Sequence, residues 1–373
     1  MIPVTAGRWE YYVLLKDDTL RAFWSEHLTT YRRSLLYIVG LGFDPRMLMG
    51  LRLVLDAGAA AAPDVLGLRF NEGPVSPSLN HQDRVAKNWS TLESLVGSRG
   101  SIVVRTLEFW SPEGRRTSSQ SARDTFTSID VFATYTDVIV DISSMPRSVY
   151  FPLIARILYL FDRHAAEGAK RINLHVMVAE DPRLDTEIRE EGIDEKAEFM
   201  ASFVGGFDEE GISTPKVWIP ILGEQRTTQF DRILDRVKPD EICPVLPSPA
   251  RNPRRADDIM IEYQQILFDE QRLDPRNFLY ASEQNPFEVY RQLRAAVQHY
   301  ENVFQLLGGC RVAISPLSSK LMSLGALLVA YELKERSPGV GIAHIESQGY
   351  AIEGEHPDAE LFGLWLAGDC DVS

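Results

Sequence analysis

Cysteine is scarce in this chain, and the few cysteines form no metal-binding or redox pattern. The three are Cys243, Cys310 and Cys370, which are too far apart for a CxxC motif. A zinc ribbon and a redox dithiol are therefore disfavoured, and reduced thiols are expected. The seven histidines include no HxxxH or HxH spacing. The sequence thus predicts no metal site and no cofactor.

Long apolar runs and an excess of basic charge are also missing. The longest apolar stretches, around Val138–Val140 and Ala326–Ala330, are far shorter than the roughly 18 residues that a membrane helix needs. The N-terminal residues Met1–Arg8 lack the basic and apolar regions of a signal peptide. We therefore expect a soluble, cytoplasmic protein with no membrane partner. Its 39 basic and 53 acidic residues, a formal charge of −14, make duplex nucleic acid an unlikely partner.

Two common catalytic loops are absent as well. There is no GxxxxGK[ST] sequence and no GxSxG sequence, which argues against a P-loop NTPase and an α/β-hydrolase. The loop Gly40–Arg46 contains GxG, but Asp44 and Pro45 replace the third glycine of a nicotinamide fingerprint. An N-cap at Asp44 and a helix start at Pro45 explain both residues without a ligand. We assign no catalytic residue from the sequence, and the balance is against an enzyme.

Short apolar runs, each ending in a turn residue, alternate with segments of helical spacing. Five occur in the first half of the chain: Leu35–Val39, Val65–Phe70, Ile102–Leu107, Val138–Ile142 and Ile172–Val178. Five more occur in the second half: Val217–Leu222, Glu241–Leu246, Asn277–Tyr280, Val312–Ile314 and Gly341–Ile345. Runs of this kind are typical of strands buried on both faces, and their alternation with helices predicts parallel sheets.

We therefore predict an α/β fold made of two tandem Rossmann-like parallel-sheet domains that form a pseudo-dimer. The alternative is one large α/β domain with coincidental spacing. The predicted organisation is an N-terminal extension (1–31), a first domain (32–180), an acidic connector (181–215) and a second domain (216–373). In the second domain, Leu361–Leu366 is expected to add an edge segment. Arg115–Asp130, which is rich in Ser, Thr and Arg, is expected to be a mobile loop.

Hydroxyl and cationic residues follow the fourth predicted strand of each half. They are Ser143, Ser144 and Arg147 in the first half, and Ser318, Ser319 and Lys320 in the second. Ligands of open parallel sheets bind outside the carboxyl ends of the strands, where helix N-termini favour anions. The serines could cap their helices or donate to a phosphate. A cation in the first helical turn opposes the helix dipole, and a bound anion would offset this.

Arginine also follows the first predicted strand of each half. Arg46 and Arg226 are candidates to point into the same ligand crevice, and the alternative for each is an exposed or salt-bridged side chain. Asp141 lies within a predicted buried strand. A buried carboxylate needs a partner, so Asp141 is either hydrogen-bonded to a neighbouring loop or functional.

The segment Ile314–Ala326 resembles the fourth-strand motif of the CRISPR-associated Rossmann fold (CARF) family. In that motif a small polar loop ends in Thr-Lys or Ser-Lys before an apolar helix, and Ser319 and Lys320 match those positions. Val138–Arg147 is a looser match. The resemblance implies paired domains that bind a cyclic oligonucleotide through the loops after strands one and four. Tandem fusions of this kind resemble the related SAVED sensors of bacterial anti-phage systems.

The sequence thus leads to three functional hypotheses. The first is a nucleotide-sensing or interaction subunit of a bacterial defence or regulatory complex, which binds an anionic ligand between its halves and acts through an effector protein. The second is a hydrolase of nucleotides or phosphate esters acting in the same crevice, with Asp141, Ser319 and Lys320 as its polar groups. The third is a scaffold subunit that retains the fold without a ligand.

Overall fold

All ten apolar runs predicted as strands lie in two mostly parallel sheets of the computed structural model. The structure describes residues 6–30, 32–58, 63–74, 76–181, 189–190, 194–208, 214–334, 339–346, 350–351 and 359–370. The chain divides into two compact units. The first unit consists of Tyr12–Gly192 and Gln348–Ser373, and the second of Met1–Tyr11 and Ile193–Ser347. The protein therefore has an α/β fold of two tandem Rossmann-like units.

The bounds of the elements are as follows. The strands among the described residues are β1 (Val13–Lys16), β2 (Leu35–Leu41), β3 (Asp64–Asn71), β4 (Ile102–Glu108), β5 (Asp137–Asp141), β6 (Asn173–Glu180), β7 (Arg189–Glu190), β8 (Glu198–Phe199), β9 (Lys216–Ile221), β10 (Glu241–Ile242), β11 (Val245–Pro247), β12 (Leu279–Ala281), β13 (Arg311–Pro316), β14 (Val340–His344), β15 (Tyr350–Ala351) and β16 (Glu360–Ala367). The α-helices are α1 (Asp17–Thr30), α2 (Met49–Ala57), α3 (Gln82–Val96), α4 (Ser118–Arg123), α5 (Arg147–Ala166), α6 (Thr227–Val237), α7 (Arg255–Glu262), α8 (Pro286–Val303) and α9 (Lys320–Glu332).

The two sheets repeat the same order of five parallel strands. In the first unit the order is β6-β5-β2-β3-β4, and in the second it is β14-β13-β9-β11-β12. Numbered along the chain, each is 5-4-1-2-3, which read from the other side is the first five strands, 3-2-1-4-5, of the Rossmann order. The strands β2, β5, β6 and β13 are buried along their whole length. Burial on both faces explains why these strands are rich in apolar residues along most of their length.

The first sheet is completed by two antiparallel strands that are remote in sequence. β16 pairs with β6, and β1 pairs with β16. The C-terminal segment Leu361–Leu366 therefore belongs to the first unit and lies inside its sheet, so its assignment as an edge of the second domain is wrong. The physical reason is that its side chains are apolar on both faces. Leu364, 1% exposed, pairs with Val176 of β6.

The predicted N-terminal extension is divided between the two units. Within it, the strand β1 and the helix α1 precede the first parallel strand of the first unit. Residues before Tyr12 belong to the second unit. There Trp9 is 2% exposed and its ring lies 5.6 Å from that of Tyr290, while the backbone N–H of Arg8 donates to Glu332 Oε2 at 3.3 Å.

The acidic connector is shorter than the sequence suggests. Of its predicted span, residues 182–188, 191–193 and 209–213 lie outside the described residues, while Glu198–Phe199 forms β8 and pairs with β14 of the second sheet. Ala197, Met200 and Phe203 are at most 3% exposed. The many acidic residues of this segment led to its prediction as a connector, but its apolar residues pack as part of the second unit.

The Ser-, Thr- and Arg-rich segment Arg115–Asp130 is packed, so its prediction as a mobile loop is wrong. It contains α4, and both Ala122 and Phe126 are fully buried. The guanidinium of Arg156 on α5 donates to the Phe126 carbonyl at 2.8 Å. A few apolar anchors thus outweigh a polar composition. No helix within the described ranges combines the length and apolarity needed to cross a membrane.

Candidate functional site

The predicted crevice corresponds to the point in each sheet where the strand order reverses. This point lies between β2 and β5 in the first unit and between β9 and β13 in the second. Loops leaving the carboxyl ends of these strands run to either side of the sheet, which opens a crevice where ligands of this fold class bind. All eight sequence-predicted site residues lie in or directly after these loops.

In the first unit, the serine hydroxyls hold the loops together. Ser144 Oγ donates to the carbonyl of Gly40 at the end of β2, at 2.8 Å. Ser143 is fully buried, and its Oγ accepts from the backbone N–H of Ala179 in β6 at 2.9 Å. The two hydroxyls therefore tie the loop after β5 to the strands on either side of it. The prediction that these two serines bind a ligand stays a prediction, and their structural role is clear.

Arg46 lies in a buried ion pair instead of pointing into the crevice. It is 3% exposed, and its Nη2 lies 2.9 Å from Asp44 Oδ2. The Asp44 carboxylate also accepts from the backbone N–H of Arg46 at 2.9 Å, which confirms Asp44 as the N-cap of the short 3₁₀ helix Pro45–Leu48. The salt-bridged alternative for Arg46 is thus the correct one. A guanidinium bound so closely to a carboxylate two residues away is a poor receptor for a second anion.

Both oxygens of the buried Asp141 carboxylate accept hydrogen bonds from neighbouring groups. Tyr37 donates its hydroxyl to Oδ2 at 2.5 Å, and the backbone N–H of Ser143 donates to Oδ1 at 2.9 Å. Burial and the charge of Asp141 raise the pKa of Tyr37 well above its ordinary value. The alternative of a carboxylate hydrogen-bonded to a neighbouring loop is therefore confirmed. This removes the main acidic group of the hydrolase hypothesis.

In the second unit, the corresponding loops meet backbone to backbone. A Cβ on Gly223 would lie 2.4 Å from the carbonyl oxygen of Leu317, so only glycine fits where the loop after β9 crosses the loop after β13. Ser319 is the N-cap of α9 and accepts from the Met322 backbone N–H at 3.3 Å. Ser318 is 5% exposed, and its hydroxyl lies 3.4 Å from the Met322 sulfur. Both serines thus follow β13 at the switch point, and each has a structural contact.

Arg226 directly precedes α6, in the loop after β9. The side chain is half-buried, and its charge acts on the neighbouring Glu224 and Glu262 carboxylates. Glu262 also accepts from the backbone N–H of Gln225 at 2.8 Å. Arg226 therefore lies at the predicted crevice in an acidic setting, which offsets its attraction for an anion.

Arg147 and Lys320 occupy equivalent positions. Arg147 is the first residue of α5, Lys320 is the first residue of α9, and both are half-buried. Neither helix has an acidic residue in its first turn. The sequence prediction that these cations begin the helices after the fourth strands is confirmed. Their role in binding a ligand stays a prediction.

Sequence reasoning missed an ion-pair network at the carboxyl ends of β9, β11 and β12. Arg255 Nε lies 2.6 Å from Glu224 Oε1, and Arg255 Nη1 pairs with Glu283. Glu283 is 5% exposed and accepts from the backbone N–H of Arg251 at 2.8 Å. Burial raises the pKa of Glu224, but the hydrogen bond and charge of Arg255 more than offset this and lower it overall. Only the position of the two glutamates just after strands could have signalled the network.

A second missed group lies at the amino ends of the first sheet. His27, Asp137 and His175 are all buried, and their ligand atoms lie within 4.8 Å of one another. Within the described part of the chain this is the group that could hold a metal ion. The histidines come from different elements, so spacing along the sequence does not reveal them.

Comparison with known proteins adds no function. No family model and no curated protein matches the sequence. Among solved structures, the chain is similar to a protein of unknown function from Pseudomonas aeruginosa PAO1, with 10% identity, 82% of this chain and 91% of the other covered, and a TM-score of 0.22. It is also similar to a universal stress protein from Archaeoglobus fulgidus DSM 4304, with 7% identity, 82% and 95% coverage, and a TM-score of 0.23. At such TM-scores these likenesses carry no argument, and the fold class rests on the strand order.

Proposed function

We propose that the protein binds an anionic, nucleotide-like ligand at the switch points of its sheets and acts through a partner protein without catalysis. The observation that carries the proposal is the recurrence of one cation, Arg147 or Lys320, as the first residue of the helix after the fourth parallel strand. The same strand order puts each of them beside the loop after the first strand. A chance surface cation has no reason to recur at this position in both units.

The electrostatics of the two helix starts support an anion. The unpaired N–H groups of a helix N-terminus carry partial positive charge, and a cation in the first turn adds to it at a cost. With no acidic residue in either first turn, a phosphate group would offset this cost. Charge-assisted hydrogen bonds to the phosphate would each contribute about 1.5–3 kcal/mol.

The other side chains favour binding over hydrolysis. Asp141, Ser143 and Ser144 are engaged in hydrogen bonds that close the loops of the first unit. Asp141, the carboxylate of the hydrolase alternative, is thereby poorly placed to activate water. The resemblance of Ile314–Ala326 to the CARF motif supports a cyclic oligonucleotide as the ligand class. It also supports a bacterial antiviral defence complex, with a separate effector protein, as the setting.

Calorimetric titration with cyclic dinucleotides, cyclic tri- and tetra-adenylate and ATP tests this proposal. We expect one ligand of the set to bind the native protein. Replacing both cations, Arg147→Ala with Lys320→Ala, should weaken binding at least tenfold and leave the melting temperature unchanged or slightly higher. The matched control replaces two exposed cations, Arg21→Ala with Lys170→Ala, and should not affect binding.

Two results would contradict the proposal. One is the absence of binding by any ligand of the set to the native protein. The other is a double variant that melts many degrees lower while its ligand affinity is unchanged, which would identify Arg147 and Lys320 as structural ion-pair residues. Conversion of a bound nucleotide to a product by the native protein would favour the hydrolase alternative instead.

A further inference from the structure

Two histidines and an aspartate meet in the core of the first unit, at the amino ends of its parallel strands. His27 lies in the last turn of α1, Asp137 begins β5, and His175 is near the start of β6. The three are 8%, 0% and 3% exposed. The cluster lies at the amino ends of the strands, whereas the switch-point loops leave their carboxyl ends. It is therefore separate from the proposed nucleotide site.

The two imidazoles converge on one carboxylate oxygen. His27 Nε2 lies 2.8 Å and His175 Nε2 lies 3.2 Å from Asp137 Oδ1. Two imidazole nitrogens and one carboxylate oxygen form a donor set suited to late first-row transition metals. All three atoms are close enough for small side-chain movements to bring them around a single ion.

The second oxygen of Asp137 is held by groups outside this set. Thr136 donates its hydroxyl to Oδ2 at 2.7 Å, and Arg33 Nη1 lies 3.6 Å from the same oxygen. Metal-ligating carboxylates are commonly oriented by such hydrogen bonds, which fix the ligand atom in place. The arrangement leaves Oδ1 directed at the histidines and Oδ2 at its supporting groups.

An aromatic shell surrounds the cluster. Phe23 stacks on His27 with ring centroids 5.0 Å apart, and Trp365 of β16 lies 5.2 Å from His175. Trp24 lies 4.9 Å from His175, is 1% exposed, and its indole N–H has no hydrogen-bond partner among the described residues. A buried donor without an acceptor is costly, and an additional ligand on an ion in this shell would give it one.

The geometry points to a buried site for one divalent transition-metal ion of the Zn²⁺ type, ligated by His27, Asp137 and His175. Three protein ligands are one fewer than a closed structural zinc site has, so a water or small anion would complete the shell. The ion would join α1, β5 and β6 and thereby stabilise the first unit.

Titration of the metal-free full-length protein with CoCl₂ and ZnCl₂ tests the site. We expect one Co²⁺ per chain with the visible absorption of a low-symmetry nitrogen–oxygen site, displacement by Zn²⁺, and a melting temperature several degrees higher with either metal. His27→Gln and His175→Gln should each weaken metal binding at least roughly tenfold, and Thr136→Val, which acts through Asp137, by roughly tenfold or less. The control is His299→Gln, an exposed histidine of the second unit, which should bind as the native protein does.

The native protein alone can overturn the inference. If it binds neither metal stoichiometrically, the cluster is a hydrogen-bonded His–Asp–His group and no metal site. A thiolate charge-transfer band in the Co²⁺ spectrum, or unchanged binding in both histidine variants, would assign the ion to another place. If a histidine variant fails to fold, the Co²⁺ spectrum of the native protein still decides. None of these readouts involves a nucleotide, so this inference and the proposed function fail independently.

Discussion

The two sheets share their five parallel strands and differ in how each is completed beyond the fifth. In the first unit β6 is followed by the eight-residue β16, which comes from the C-terminal end of the sequence and is buried for most of its length. In the second unit β14 is followed by the two-residue β8, which comes from just before β9. The repeated part is built from strands and helices that alternate along the chain. The completing strands come from unrelated positions, near the C-terminus in the first unit and before β9 in the second.

The carboxyl edges of the two sheets differ in a similar way. In the first unit the buried Arg46 pairs with Asp44, two residues earlier in the same loop. In the second, Arg255 joins Glu224 and Glu283, which follow different strands. The same strand order thus carries different ion pairs at the carboxyl ends of its strands in the two units. Arg147 and Lys320, by contrast, occupy the same position in both units, as the first residue of the helix after the fourth parallel strand.

The largest expected effect comes from removing β16. Four of its large apolar side chains are at most 4% exposed, and they are Leu361, Phe362, Leu364 and Leu366. At about 1.5–3 kcal/mol each, their burial contributes roughly 6–12 kcal/mol, comparable to the whole stability of a domain. A chain that ends at Asp358 should therefore be insoluble or lack a cooperative unfolding transition. Solubility and thermal unfolding followed by circular dichroism measure this.

A shorter deletion provides the control for the truncation. Removing only residues 371–373 leaves all of β16 and should not alter the unfolding transition. A soluble, cooperatively unfolding chain that ends at Asp358 would show that the first sheet does not need β16. The comparison between an essential completing strand and a minor one would then fail.

The sequence predicts the repeated part of the fold well and the completing strands poorly. Runs such as Leu35–Val39 are apolar at every position, and this pattern follows directly from burial on both faces. Leu361–Leu366 also reads as a strand. Its sheet could not be predicted, because pairing with β6 is a contact between distant parts of the chain that leaves no local pattern.

The sequence predicts where in the fold the candidate site residues lie, but not which hydrogen bonds and ion pairs they form. The position of Arg147 and Lys320 follows from strand, loop and helix order, which the sequence displays. Whether Arg46 is free or paired depends on side-chain geometry within a loop. The cluster of His27, Asp137 and His175 depends on the packing of α1 against two strands, so no spacing rule could have found it.

The second prediction concerns the ion-pair network of the second unit. Arg255→Met removes the cation that balances Glu224 and the buried Glu283, and should cost about 3 kcal/mol at pH 8, because a carboxylate is left buried without its partner. Arg254→Met is the matched control, since Arg254 is 76% exposed and its pair with Asp258 spans 4.0 Å. It should change stability by less than about 0.5 kcal/mol. Urea unfolding measures both.

The pH dependence of this loss has a definite sign. In the native protein the pKa of Glu224 is lowered overall, so the pair contributes stability above the ordinary carboxyl range, and this is lost as pH falls. In Arg255→Met the two largest effects that lower the pKa of Glu224 are lost, so burial, which raises this pKa, is opposed only by a backbone hydrogen bond and the charge of Arg226. As pH falls, protonation of Glu224 removes the cost of burying its charge in the variant. The difference from the native protein should therefore shrink from pH 8 to pH 5, and a difference that grows on acidification would contradict this account.

The smallest expected effect separates the loops that follow the first strand of each sheet. Gly223→Ala would bring a Cβ to 2.4 Å from the Leu317 carbonyl oxygen, a backbone atom that moves only with its loop. At the counterpart in the first unit, Gly42, an added Cβ meets nothing within 4 Å. Gly223→Ala should thus cost about 1–3 kcal/mol, whereas Gly42→Ala should be neutral or stabilising by a few tenths of a kcal/mol. Urea unfolding of both variants gives the comparison, and equal losses would mean that the close crossing of the two loops is not specific to the second unit.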